Sequence, residues 1–335
     1  MPPFNALGPR AAAIALERDE PTYAVTFVAL GCSGATMPRG LLGPHRGIEP
    51  NPDGRSEPPQ VEVVNDLAEG RAIDALLVSI GANDIHFSRV VQFCAAVARC
   101  YERRFDPRTP LREAADRSAP TLDAAITAAV AALPDRFREL ARALSPRIEA
   151  KRVVLIQYFD PTTGEGGRFC SMHLGVGQMR PDESQWAQSR VIQRLNAVLA
   201  AAATEHGWTL IDGVGEAYRG HGICQANAGE RWVRTPVESF FQQDAQLAAA
   251  SVSGTLHPNG RGHWQTATLI RARVVPLLGA VAGPDPLPPG ADGPFGERTT
   301  VLVILGGIGA VFGVMGAAWV VLVMRRRRGG AEVAS

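Results

Sequence analysis

Four short apolar runs rich in β-branched residues set the frame for this chain: Tyr23 to Leu30, Ile73 to Ile80, Val153 to Tyr158 and Trp208 to Ile211. Each is too short for a helix and is bounded by Gly, Pro or Asp, the pattern of a buried strand. Helical patterns alternate with them. Pro9 to Asp19, Val61 to Arg71, Phe87 to Ala98, Glu183 to Glu205 and Gly260 to Leu278 read as helices, and Leu122 to Leu144 reads as a long one bent or split at Pro134. Met37 to Pro59 is loop, and Gly213 to Leu256 is an irregular excursion in which Gln242 to Ala250 has a helical pattern. This alternation predicts an α/β fold with a parallel sheet covered on both faces. Sites in such sheets form at the carboxyl ends of the strands.

A second apolar run is of a different kind. Val301 to Met324 is uncharged throughout and is followed at once by Arg325 to Arg328. As a helix it would span roughly 36 Å, enough to cross a bilayer. The competing reading is a buried core helix, which rarely runs so long without a polar face. The basic cluster would put the C-terminus in the cytoplasm and everything before the span outside. Gly309 and Gly313 form a GxxxG, a weak signal for helix pairing. The expected organisation is an α/β domain over 1–278, a Pro/Gly-rich linker over 279–298, a transmembrane helix over 299–324 and a basic tail over 325–335. Met1 to Glu20 has no basic start followed by an apolar core, so the export signal is expected upstream. The net charge of +1 is interspersed, which argues against a nucleic-acid surface.

The cysteines are Cys32, Cys94, Cys100, Cys170 and Cys224, with no CxxC pair that would suggest zinc or thioredoxin chemistry. Cys94 and Cys100 are close enough to close a small loop, and Cys170 and Cys224 both lie in loop-like segments. Five buried thiols and two bridges are both compatible with that spacing. An external location tilts the choice to disulfides Cys94–Cys100 and Cys170–Cys224, with Cys32 outside both.

Three segments carry chemistry. "GCSGA", Gly31 to Ala35, nearly matches the GxSxG nucleophile elbow, and Asp212 and His257 follow in triad order. An elbow must run into a helix, however, and the Gly/Pro-rich stretch after Thr36 cannot be one. "GANDI", Gly81 to Ile85, follows a buried strand. Asn83 there can aim its amide at an oxyanion, or simply cap a turn. "GTLHPNGRGHW", Gly254 to Trp264, places His257 in a loop just before the last helix, where it can act as general base or be structural. His263, inside that helix, reads as a packing or capping residue. Trp232, Phe240 and Phe241 in the excursion can line an acyl site or form its core.

Strand then "CSGA", strand then "GxND" and a late "HPNxxGH" together resemble the SGNH hydrolases, also called GDSL lipases and esterases. The closest look is to secreted, disulfide-containing actinobacterial lipases. The resemblance implies a three-layer α/β/α flavodoxin-like fold and an ester hydrolase with no metal or organic cofactor. In it Gly34 and Asn83 are oxyanion-hole donors and His257 is the base. The family usually has an Asp three residues before this His. Gly254 stands there, so its carbonyl is expected to orient the imidazole and the site is expected to be a Ser–His dyad. The family's serine lies in a Gly-Asp-Ser motif after the first strand, which this sequence lacks. That strand, the serine and a cysteine partner for Cys32 are therefore expected upstream, and the chain as written is expected to be unstable and inactive. In the family's strand order, its loss leaves a gap between Tyr23–Leu30 and Ile73–Ile80. The expected partners are an ester substrate, lipid or an acylated envelope component, and the bilayer through Val301–Met324. The rivals are a remnant or binding module without the nucleophile, and an α/β-hydrolase using Ser33.

Overall fold

The computed structural model describes residues 8–19, 24–32, 34–47, 54–68, 72–110, 113, 115–174, 177–242, 254–278, 299–305 and 322–325. The Gln242 to Ala250 helix beyond its first residue, the linker, Ser33, Gly309 and Gly313 lie outside them.

The chain opens with α1 (Gly8–Asp19), β1 (Ala24–Ala29), α2 (Gln60–Leu67), β2 (Ala72–Val78) and α3 (Phe87–Ala96). Two helices follow, α4 (Leu122–Ala131) and α5 (Leu133–Leu144), so the long helical pattern is split next to Pro134, one of the two outcomes the sequence suggested. Pro134 sits in the first turn of α5, where its missing N–H breaks no helical bond. The chain continues with β3 (Val153–Ile156), the two-residue strands β4 (Met172–His173) and β5 (Gln178–Met179), α6 (Pro181–Trp186) and α7 (Gln193–His206). Residues 187–192 between α6 and α7 form a π-helical turn. The last elements are β6 (Thr209–Ile211), α8 (Val214–Ala217), α9 (Pro236–Gln242), α10 (Gly260–Leu278), β7 (Thr299–Leu305) and β8 (Leu322–Arg325).

Strand periodicity divides the core into two. Ile73, Leu76 and Val78 of β2, with Val153 and Leu155 of β3, face a cluster built from α2, α3, α4, α5 and α7. The alternate residues Ala75, Leu77, Val154, Ile156 and Ile211 face a second cluster, against α1 and α10. Successive strand side chains point to opposite faces, so this split makes the sheet the middle of three layers. β3 pairs in parallel with β6 and runs alongside β2.

The gap expected between the first two strands is closed. β7 lies between β1 and β2, parallel to both, with Val28 opposite Val303 and Leu76 opposite Val303. β8 pairs antiparallel with the start of β2 and with the start of β7. The reading of Val301–Met324 as one membrane-crossing helix is thus corrected at both described ends, which are strands. The physical reason is that an uncharged, β-branched run suits a buried central strand as well as a bilayer helix. Unpaired ladder groups on β1 and β2 provide the demand for such a strand. Among the described residues no helix is long and apolar enough to cross a membrane.

Two disulfides join Cys94 to Cys100 and Cys170 to Cys224. Cys32 is in neither, and its thiol donates to the Leu30 carbonyl at 3.7 Å.

Candidate active site at the carboxyl edge of the sheet

β1 ends at Ala29, and the chain turns back through Gly34, whose φ of +75° is a left-handed conformation that glycine adopts without strain. The turn closes with the Ala35 N–H donating to the Cys32 carbonyl at 3.3 Å. β2 ends in a second set of turns over Gly81 to His86. The two loops are bonded to each other. The Asn83 side-chain amide donates to the Ala35 carbonyl at 2.9 Å. Next to it the buried Asp84 carboxylate accepts the Met37 N–H at 3.1 Å and the Arg136 guanidinium at 2.7 Å. Burial pushes the Asp84 carboxyl up, while Arg136 and the Met37 N–H favour its charged form. A side-chain amide has two N–H donors, so the bond to Ala35 occupies one donor of Asn83 and fixes the direction of the group.

The second loop is also held from below. Ala82 donates its N–H to the buried Tyr158 hydroxyl at 3.2 Å. Tyr158 is in turn clamped by Asn196, whose side chain bonds both its N–H and its carbonyl at 2.8 Å. Desolvation holds the Tyr158 phenol well above its usual range. The loop after β2, the loop after β3 and α7 are thereby one hydrogen-bonded unit.

His257 enters from the other side of the chain. Gly254 to His257 forms a turn in which the His257 N–H donates to the Gly254 carbonyl at 3.0 Å. Leu256 before it is fully covered and left-handed, with φ +63°. This is an unusual conformation for a bulky residue, sustained by its surroundings. Arg234 pairs with this turn in antiparallel fashion: its N–H donates to the His257 carbonyl and its carbonyl accepts the Leu256 N–H, both at 2.9 Å. Asn259 then caps α10, its side-chain oxygen accepting the N–H groups of Arg261 and Gly262 at 3.0 and 3.1 Å.

Both ring nitrogens of His257 are covered, although part of the residue keeps some surface. The Gly254 carbonyl accepts the His257 backbone N–H at 3.0 Å, and with the Thr255 carbonyl it also favours the protonated form of the ring. Burial lowers the imidazole pKa to about 4. The charge of Arg234 also lowers it, and the Thr255 and Gly254 carbonyls pull the other way. His263 has a different task. Its Nδ1 accepts the Gly8 N–H at 3.1 Å and so ties α10 to the start of α1. Burial lowers its pKa to about 3.

Other sequence candidates lie elsewhere. Asp212 is half exposed and pairs with Arg273 at 2.6 Å rather than with His257, which leaves the Ser33–Asp212–His257 triad without its acid. Trp232 stacks on His221 at 3.8 Å and meets Tyr218 edge-on at 5.3 Å, so it is core of the excursion. Phe240 is exposed. Arg234, Ser239 and Thr255, which crowd the His257 turn, carry no motif that would single them out. Among the described residues no group of His, Cys, Asp or Glu side chains is placed to hold a metal ion. A groove of about 580 Å³ lined by Leu144, Ile148, His206 and Trp208 lies by the start of β3, at the opposite edge of the sheet.

The extracellular lipase from Streptomyces rimosus is a solved structure similar to this chain, with 18% identity, 59% of this chain and 68% of that chain covered, and a TM-score of 0.38. No curated protein matches. The profile of the GDSL-like Lipase/Acylhydrolase family matches residues 4–265, the span that runs from α1 into the start of α10 and holds both loop systems described above. The chain therefore belongs to the GDSL-like lipase/acylhydrolase family of ester hydrolases.

Proposed function

We propose that the chain hydrolyses esters through a Ser–His dyad, with His257 as the base and the Gly34 N–H and Asn83 amide as oxyanion donors. The observation that carries this reading is the Asn83-to-Ala35 bond, which couples the Gly34 loop to the Asn83 loop at the carboxyl ends of β1 and β2. Donors held in advance of the reaction stabilise charge that develops only in the transition state. His257 is neutral at pH 7 because its pKa is depressed, so it can take a proton.

In this reading a serine oxygen bonds to the ester carbonyl carbon while its proton passes to His257. The tetrahedral oxyanion rests on Gly34 and Asn83. It collapses as His257 protonates the departing alcohol. Water, deprotonated by the same imidazole, then cleaves the acyl-enzyme to the carboxylic acid and frees the serine. No residue of 1–335 is assigned as the attacking serine, because none lies in a Gly-Asp-Ser motif.

The same proposal puts the domain outside the cytoplasmic membrane. Two disulfides support an oxidising compartment. The uncharged 301–324 run before four arginines supports an anchor, which would have to leave the sheet to enter lipid. Resistance of the protein to alkaline carbonate extraction from its own cell's membranes tests the anchor.

Activity is tested on the protein purified from the cell that makes it, with a short-chain nitrophenyl ester. His257→Ala should lower kcat by 10²-fold or more, and Asn83→Ala by roughly 10²–10³-fold. Unchanged turnover in both variants, or a fluorophosphonate tag mapped to Ser33, would overturn the dyad reading.

A further inference from the structure

Asn83 and Asp84 are neighbours in the chain, and both bond to the opposite loop, with opposite polarity. Asn83 donates to the Ala35 carbonyl at 2.9 Å. Asp84 accepts the Met37 N–H, its two carboxylate oxygens lying 3.1 and 3.2 Å from that nitrogen. A single bond leaves two loops free to pivot about it. Two bonds from adjacent residues, to Ala35 and to Met37, remove the pivot and fix how one loop sits on the other. A third tie comes from outside both loops: Arg136 on α5 donates to the Asp84 Oδ1 at 2.7 Å.

The Asp84 side chain is wholly covered, while that of Arg136 keeps 34% of its surface. Covering such a pair gives little net stability compared with apolar side chains of the same volume. Nor does core packing require a charge here. Met37 and Ile85, which anchor the two loops, are fully buried in the apolar cluster on that face of the sheet. What the carboxylate adds is direction. It is short, it accepts from two sides at once, and its donors come from two different elements, the loop after β1 and α5.

We infer that Asp84, braced by Arg136, is a positioning residue for the oxyanion hole: it clamps the Gly34 loop to the Asn83 loop, so that the Gly34 N–H and the Asn83 amide keep one mutual geometry. Asp84 does not meet the ester. It acts through the two donors, whose value depends on their being in place before charge develops. A displacement of about 1 Å in such a group can cost on the order of 10²-fold in rate, which is what the clamp prevents. This catalytic consequence rests on the reading of Gly34 and Asn83 as oxyanion donors, whereas the clamp itself does not.

A double-mutant cycle on the protein purified from its own cell is the test. Asp84→Ala should lower kcat by about tenfold or more and change KM by less than about twofold. In an Asn83→Ala background the same substitution should cost about threefold at most, because one of the donors it positions is already gone. A residue needed only for folding would cost the same factor in both backgrounds. Asp84→Asn keeps one acceptor oxygen. It should recover part of the loss, and it carries the comparison if Asp84→Ala does not fold. Hydrogen exchange of the side-chain amides, in protein labelled with ¹⁵N at asparagine, needs no turnover. Asp84→Ala should speed exchange at Asn83 by about tenfold or more. Asn259, whose amide donates to the Arg231 carbonyl at 2.6 Å, should be unchanged. Where Asn83→Ala itself lowers kcat, equal factors in both backgrounds would overturn the inference, and so would Asn83 exchange as slow in Asp84→Ala as in wild type. Faster Asn83 exchange in a protein that hydrolyses no ester, or whose turnover ignores Asn83→Ala, supports the clamp and retires the oxyanion reading.

Discussion

His257 and His263 are neutral imidazoles kept inside the fold, and this sets the response of the molecule to acid. Their folded pKa values, about 4 and about 3, lie below the ordinary 6.5. Between those limits the unfolded chain binds protons that the folded chain refuses, so stability rises with pH there. Their contribution is complete above pH 6.5 and is lost as pH falls towards 4 and then 3. Urea midpoints measured from pH 7 to pH 4 should drop, and His263→Gln, which keeps an acceptor for the Gly8 N–H, should flatten the lower part of the curve. A midpoint independent of pH over this window would contradict the burial of both rings. Asn83 and His257 were legible in the sequence because local context marks them: one follows a buried strand, the other precedes a capped helix. Asp84 sat in the same motif unread, since nothing local reveals its bond to Arg136. Arg234 and Ser239 were not legible at all. Their approach to His257 depends on the excursion folding back as an antiparallel bridge, Val233 against Pro258, and no short pattern encodes that.

At the scale of elements, the helices and the four strands read in the sequence before residue 279 followed their apolar periods to within a few residues, β7 and β8 lay in a run read as one helix, and the loops needed covalent and buried polar ties. The Cys170–Cys224 bridge joins the loop after β3 to the excursion after β6 across 54 residues of sequence. Backbone bonds cross the same junction, including Ile223 N–H to the Pro161 carbonyl at 2.8 Å. Closing a loop of that size removes entropy from the unfolded chain equivalent to about 4 kcal/mol. Replacing Cys170 and Cys224 together by serine should lower the unfolding free energy by about that amount in denaturant melts. A loss below about 1 kcal/mol would mean that the backbone bonds alone hold the junction. The Cys94–Cys100 loop is short, and its bridge works with Glu183, a fully buried carboxylate that accepts the N–H groups of Cys100 and Arg180 at 3.1 and 2.7 Å. The β4–β5 hairpin and the π-helical turn between α6 and α7 left no signal in the sequence. Two-residue strands have no period to read, and a single extra residue in a helix does not disturb its apolar stripe enough to show.

For the molecule as a whole, the decisive question is what fills the sheet between β1 and β2. Both strands present ladder groups to that slot, and unpaired groups there would sit beside the two apolar clusters that flank the sheet. In the structure β7 pairs with β1 along six residues, from Ala24 opposite Thr299 to Ala29 opposite Ile304, and with the end of β2. A fold whose net stability is of the order of 5–15 kcal/mol does not survive opening a central ladder. Removing residues 299–335 should therefore abolish cooperative thermal unfolding of the remainder. Val303→Pro gives a finer probe. It deletes an N–H in the middle of a paired strand, where proline is excluded, and should lower Tm sharply. Asn83→Ala, at the rim of the sheet, should leave Tm much closer to wild type. A cooperative melt for residues 1–298 equal to that of the full chain would show that the slot is closed by other means. It would also release the 301–324 run for the bilayer, with its basic cluster on the far side. The observed strand and the proposed anchor are mutually exclusive uses of this run, and vesicles added to the full chain decide between them. If the segment inserts, its liposome-bound form should carry the exposed β1 and β2 edges of the truncated protein and lose the Val303→Pro effect. If it stays in the sheet, vesicles should change neither.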